Sequence, residues 1–134
     1  MSGSWGFPAP VLPDKQDAAR AMGDYLRAHM AEWTASHERA GITMERTYLM
    51  QTPQGSLFVE YGETDTSFSE SLRAMLNSGA ELDKWIFRTF QEFTGVDFTQ
   101  PPAGPPPELV LSYYQPKPER GEGARVFDSA ARAR

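Results

Sequence analysis

The chain has two histidines, His29 and His37. An imidazole titrates near neutral pH, which suits it to proton transfer. The two stand eight residues apart and flank Trp33 at i−4 and i+4. On a helix that spacing is two turns, too far for one metal to take both directly, and no second histidine completes the zinc pattern that His37-Glu38 would begin. The functional reading makes His37 a general base or proton shuttle, with His29 and Trp33 as ligand contacts. The structural reading makes each histidine an aromatic-like filler with one ring nitrogen satisfied. His37 is the stronger candidate because it lies near a helix C-terminus, and so near the rim of a sheet.

Arg46, Tyr48 and Glu60 form the second candidate group. Met44 to Thr52 and Ser56 to Glu63 read as the arms of a hairpin, joined by Thr52-Pro53-Gln54-Gly55. Proline at i+1 and glycine at i+3 suit a type I turn with a G1 bulge. A three-residue loop then sets Met50 opposite Phe58, Tyr48 opposite Glu60 and Arg46 opposite Gly62. On that face Arg46 would hold a carboxylate or enolate and Tyr48 would donate to an oxyanion. The bland alternative is a diagonal ion pair between Arg46 and Glu60. The other face holds Leu49 with Val59, Gln51 with Leu57 and Thr47 with Tyr61, and is expected to meet the helices.

Much else is excluded. With no cysteine there are no disulfides, thiolate nucleophiles or cysteine-bound metals. No glycine-rich phosphate loop, serine elbow or carboxylate cluster is present, so kinase, NAD-dependent and hydrolase readings have no support. No apolar run reaches the ~18 residues of a membrane helix, and Met1 to Phe7 is not a secretory signal. A cytoplasmic setting is expected, with no membrane partner. The net charge of −5 is uneven: residues 1–116 carry −7 and residues 117–134 carry +2. So acidic a body repels phosphate backbones, and no nucleic-acid partner is expected.

The elements that must position these groups follow from periodicity and punctuation. Trp5, Phe7, Ala9 and Val11 share one face of a first strand, Ser4 to Val11. Pro8 and Pro10 remove two donors from one side of it, which fits an edge strand. A first helix runs from Pro13-Asp14 to Gly41-Ile42, with Met22, Leu26, Trp33 and Ala40 on its apolar face. At roughly 28 residues and ~40 Å it outruns an eight-residue strand of ~27 Å, so it must overhang, kink or pack on another subunit. Ser67-Phe68-Ser69-Glu70 and Ser78-Gly79-Ala80-Glu81 have capping-box spacing and open two further helices, the second ending at Gly95. Glu108 to Tyr114 reads as a last strand. Seven of the eleven prolines fall between Pro101 and Pro118, and residues 101–107 read as an extended proline-rich connector. The tail, 117–134, is expected to be disordered, leaving one domain over 1–116.

The order strand, helix, hairpin, helical pair, strand is β-α-β-β-α-β, an α+β ferredoxin-like sheet with helices on one face. Its open face would carry Trp5, Phe7, Tyr48, Met50 and Phe58, a surface that a second subunit would cover. With that order, the hairpin Gln51-Thr52-Pro53-Gln54-Gly55 and the helix closing in Gly41-Ile42, residues 4–115 resemble the dimeric α+β barrel superfamily, most of all its small members of unassigned function. The resemblance implies a homodimer with a central first strand and a pocket for a hydrophobic or aromatic metabolite. It also implies metal-free oxygenation, cyclisation or isomerisation through an enolate-like intermediate, of the kind seen in cofactor-independent monooxygenases. His37, Tyr48 and Arg46 would be catalytic, and His29, Trp33, Glu60, Phe58 and Met50 would bind the ligand. The alternatives are haem held by one histidine, or a non-catalytic ligand-binding or scaffold dimer.

Overall fold

The computed structural model describes residues 3–115; the tail over 117–134 lies outside the described residues. In chain order the elements are β1 (Gly3–Pro10), α1 (Gln16–Ala28), α2 (Met30–Ala40), β2 (Ile42–Thr52), β3 (Gly55–Thr64), α3 (Phe68–Leu76) and α4 (Glu81–Thr94). The strands form one open antiparallel sheet, ordered β1-β3-β2.

This corrects the ferredoxin-like, dimeric-barrel expectation. Each helical unit is a pair, and the sheet has three strands among the described residues, not four. Leu109, Val110, Leu111, Tyr113 and Tyr114 are all exposed and belong to no strand. The physical reason lies in β1. Val11 donates its N–H to the Ser56 carbonyl at 2.9 Å, so odd-numbered residues of this strand bond towards β3. Hydrogen-bonding direction alternates along a strand. Pro8 and Pro10 therefore turn their missing donors to the free edge, where a further strand would find no N–H at either position. The edge reading of the prolines holds, and the central first strand of the barrel family does not.

The hairpin register also differs from expectation. Thr52 pairs with Gly55, so the loop is Pro53-Gln54, two residues rather than three. The Thr52 hydroxyl closes it, accepting from the Gln54 N–H at 3.2 Å and donating to the Gly55 carbonyl at 2.7 Å. The slip of one residue moves β3 to the other face. Thr47 now pairs with Glu60, Leu49 with Phe58, Tyr48 with Val59 and Arg46 with Tyr61. Trp5, Phe7 and Phe58 consequently pack under this chain's own helices. The homodimer expected to bury them against a second sheet loses its basis.

The long first helix breaks at His29. The amide of His29 bonds to the Leu26 carbonyl at 3.1 Å, a tightened turn. Its ring nitrogen Nδ1 donates to the Tyr25 carbonyl at 2.8 Å, the acceptor that an unbroken helix would give to the amide. The ring replaces the backbone donor, and His29, at φ −121° and ψ 43°, separates α1 from α2. Gly41 then closes α2 in the left-handed conformation, φ 71°. Ser67 caps α3 as its spacing indicates, accepting from the Glu70 N–H at 3.2 Å. The second capping box is corrected: α4 begins after Ala80 with no side-chain cap, and Ser78 instead donates to Asp83 at 2.5 Å.

Two apolar clusters sit between sheet and helices. The larger joins Ala9, Val11 and Phe58 of the β-layer and its flank to Met22 and Leu26 of α1 and to Phe90 and Phe93 of α4. The smaller joins Trp5, Ala40 and Ile42, with Phe68 and Met75 of α3 packed against them. Phe7 touches both.

Candidate functional site

Strand pairing puts three rows of side chains on the helix-facing side of the sheet. Reading from β2 through β3 to β1, they are Glu45-Gly62-Trp5, Thr47-Glu60-Phe7 and Leu49-Phe58-Ala9. The last row is apolar and belongs to the larger cluster. The first two carry carboxylates into the space between the clusters. A cavity of about 160 Å³ lies there. Its walls are mainly apolar: Met22 and Leu26 of α1, Trp33 of α2, Leu72 and Met75 of α3, and Phe87 and Phe90 of α4. Arg27 and Thr47 also line it, and both are exposed.

The polar end is formed by His37, Glu45 and Glu60, all of which line the cavity. The His37 Nε2 atom lies 3.6 Å from a Glu45 carboxyl oxygen, and each side chain is 17% exposed. That is electrostatic contact but longer than a hydrogen bond. Both ring nitrogens of His37 are buried without a hydrogen-bond partner, an expensive condition for an imidazole. Trp33 meets the His37 ring edge-on at 5.1 Å. Glu60 accepts one hydrogen bond, from the Trp5 indole N–H at 2.8 Å. Burial pushes the Glu60 carboxyl up to about 8, the Glu45 charge adds to the rise, and the Trp5 N–H opposes it. At neutral pH Glu60 is therefore mostly protonated and able to donate.

Comparison with family models, curated proteins and solved structures finds no match. What the site does must be argued from its own geometry. Titratable groups brought together at the end of a cavity are the material of acid–base chemistry. An apolar wall excludes water from them and strengthens their electrostatics. The described residues hold no group of three or more histidines, cysteines or carboxylates placed to bind a metal. No helix among them is long and apolar enough to cross a membrane.

Of the residues proposed from sequence, the cavity brings together His37, Trp33, Phe58 and Glu60. It does not include the rest. Tyr48 and Met50 are exposed on the opposite face of the sheet, and Arg46 lies on that face by its pairing with Tyr61. His29 serves the helix break. Glu45 and Trp5 are the site residues that the sequence argument missed. For Glu45 a signal existed: it shares the core-facing parity of Thr47 and Leu49, and a carboxylate at a core-facing position is itself an anomaly.

Proposed function

We propose that the chain binds a small apolar molecule, about the size of one aromatic ring, and moves a proton on it. The observation that carries this reading is an apolar cavity whose polar end places Glu60, its carboxyl pushed up to about 8 by burial, near a second carboxylate, Glu45, which pairs with His37. The volume suits one ring: a dry engineered cavity of ~150 Å³ accepts benzene. Haem has less support, since ligand sites of drug size begin near ~300 Å³. The proposal includes the cytoplasmic setting expected from the sequence.

The chemistry is enolisation. Glu60 donates its proton towards a carbonyl oxygen while Glu45 takes a proton from the adjacent carbon. The C–H pair moves into a C=C bond and the carbonyl becomes an enol. Glu60 is left as a carboxylate, and Glu45 holds the abstracted proton beside His37. When that proton is swapped with solvent and a solvent-derived one returns to the same carbon, while Glu60 retakes the enol proton, the ketone is restored with its α-hydrogen exchanged. Return to a conjugated carbon gives isomerisation. Tyr48 and Arg46 have no part in this step.

Acetophenone and cyclohexanone in D₂O test it. Trp5 and Trp33 line the cavity, so binding is read by tryptophan fluorescence and α-proton exchange by NMR. Exchange is expected in the natural protein, with Glu60→Gln and Glu45→Gln each lowering the rate ~100-fold or more while binding persists. Equal exchange in all three proteins would remove the catalytic reading, and absence of binding would remove the site.

A further inference from the structure

We propose that Trp5 is the positioning residue of this site: it holds one oxygen of Glu60 as an acceptor and turns the other, as the acid, towards the bound molecule. The proposal rests on the proton-transfer reading above.

An indole N–H only donates. The Glu60 oxygen that receives it, Oε2 at 2.8 Å, must therefore be an acceptor. When the carboxyl is protonated, its hydrogen belongs on Oε1. A carboxyl without such a contact places its proton on either oxygen. Here the indole removes that freedom, which is the kind of preorganisation a proton donor needs.

The indole is itself fixed by a backbone feature. Trp5 pairs across the sheet with Gly62. A Cβ at Gly62 would lie 2.1 Å from Trp5 Cζ2 and 2.4 Å from Cη2. The ring lies flat over bare backbone, and any side chain at that position would lift it. Phe68 covers the ring, with centroids 5.2 Å apart, and Trp5 is 9% exposed. Gly62, Trp5 and Glu60 thus form one unit, with glycine making room for the ring that aims the carboxyl. The other charged or titratable groups around the cavity are Glu45 from β2, His37 from α2 and Arg27 from α1. The elements α3 and α4 contribute Ser71 and apolar side chains.

The test follows the Glu60 carboxyl directly, by ¹³C NMR titration of the full chain, alongside ketone exchange kinetics. Trp5→Phe keeps an aromatic ring over Gly62 and removes the donor. The Glu60 midpoint should move up, because the charged form loses its hydrogen bond. The fall in exchange rate with rising pH should move up with it. kcat should drop about tenfold while KM changes by less than about twofold. If Trp5→Phe does not fold, benzothienylalanine at position 5 replaces the N–H by sulfur at nearly constant shape, and the same results are expected. An unmoved Glu60 midpoint overturns the proposal, as does an unchanged kcat. The titration needs no ligand. A shifted midpoint in a protein that exchanges no ketone would therefore sink the proton-transfer reading while leaving the hold of Trp5 on Glu60 in place.

Discussion

Two carboxylates in this molecule, the buried Asp83 and the half-buried Glu60, have opposite surroundings. Asp83, in the first turn of α4, is 1% exposed. It accepts from Ser36 and Ser78, each at 2.5 Å, and from Arg39 at 3.3 Å. Three donors reach it, so both of its oxygens are partnered. Glu60 has one donor, Trp5, and a like charge nearby in Glu45. Asp83 ties α2 to α4, with three of its roughly four acceptor sites filled. Glu60 is held at a cost in a cavity where a ligand has room. A buried acid with all its partners is a structural knot, whereas one short of partners and facing open volume is a candidate reagent.

The largest effect should come from the knot. Asp83→Ala strands the buried hydroxyl of Ser36, the half-buried hydroxyl of Ser78 and the Arg39 guanidinium, and should cost about 3 kcal/mol of stability. Chemical denaturation would measure it, and a loss under ~1 kcal/mol would mean that Asp83 is no knot. Ketone binding by any protein still folded should be unaffected.

Glu60→Gln should act with the opposite sign and only in one pH range. The folded-state value, about 8, exceeds the ordinary glutamate value of 4.5. The fold therefore binds an extra proton between the two, and stability falls as pH rises from one to the other. The amide cannot ionise, so the variant should match the natural protein near pH 4 and exceed it above pH 8, by on the order of 2 kcal/mol. Denaturation midpoints at the two pH values decide this. A pH-independent difference would mean that Glu60 is not the protonated group.

The smallest effect should lie across the sheet. Tyr48→Ser and Met50→Ser alter residues 59% and 46% exposed. Each should change stability by under ~0.5 kcal/mol and leave ketone exchange within twofold. A large loss of exchange in Tyr48→Ser would return that residue to the site and overturn the face assignment.

Several of these features are visible in local sequence. Gly41 and Gly95 end helices because a left-handed cap is cheapest without a Cβ, and both have positive φ. Ser67 and Glu70 show capping-box spacing, and Pro8 and Pro10 mark an edge. The core-facing parity of β2 follows from Leu49. The parity of β3 does not, because it depends on whether the hairpin loop has two residues or three, and the Thr52 hydroxyl decides that. This one residue of loop moves Glu60 away from Tyr48 and sets it beside Thr47. The helix break is equally hidden, since His29 reads as an ordinary helical residue until its ring takes the Tyr25 carbonyl. Glu108 to Tyr114 has strand composition, yet composition alone does not supply an edge to pair with.

The sequence by itself determined the caps at Gly41, Ser67 and Gly95, the edge position of the proline-bearing strand, and that His37 is an acid–base candidate and Glu60 a ligand contact. These depend on backbone rules that act within a few residues. Only the tertiary structure decided that His37 meets Glu45, that Trp5 reaches Glu60 over a bare glycine, and that a ring-sized cavity separates the two clusters. Those contacts join residues of different elements, and their partners depend on strand register and helix direction. The register turns on the Thr52 hydroxyl and the helix break on the His29 ring, and periodicity records neither.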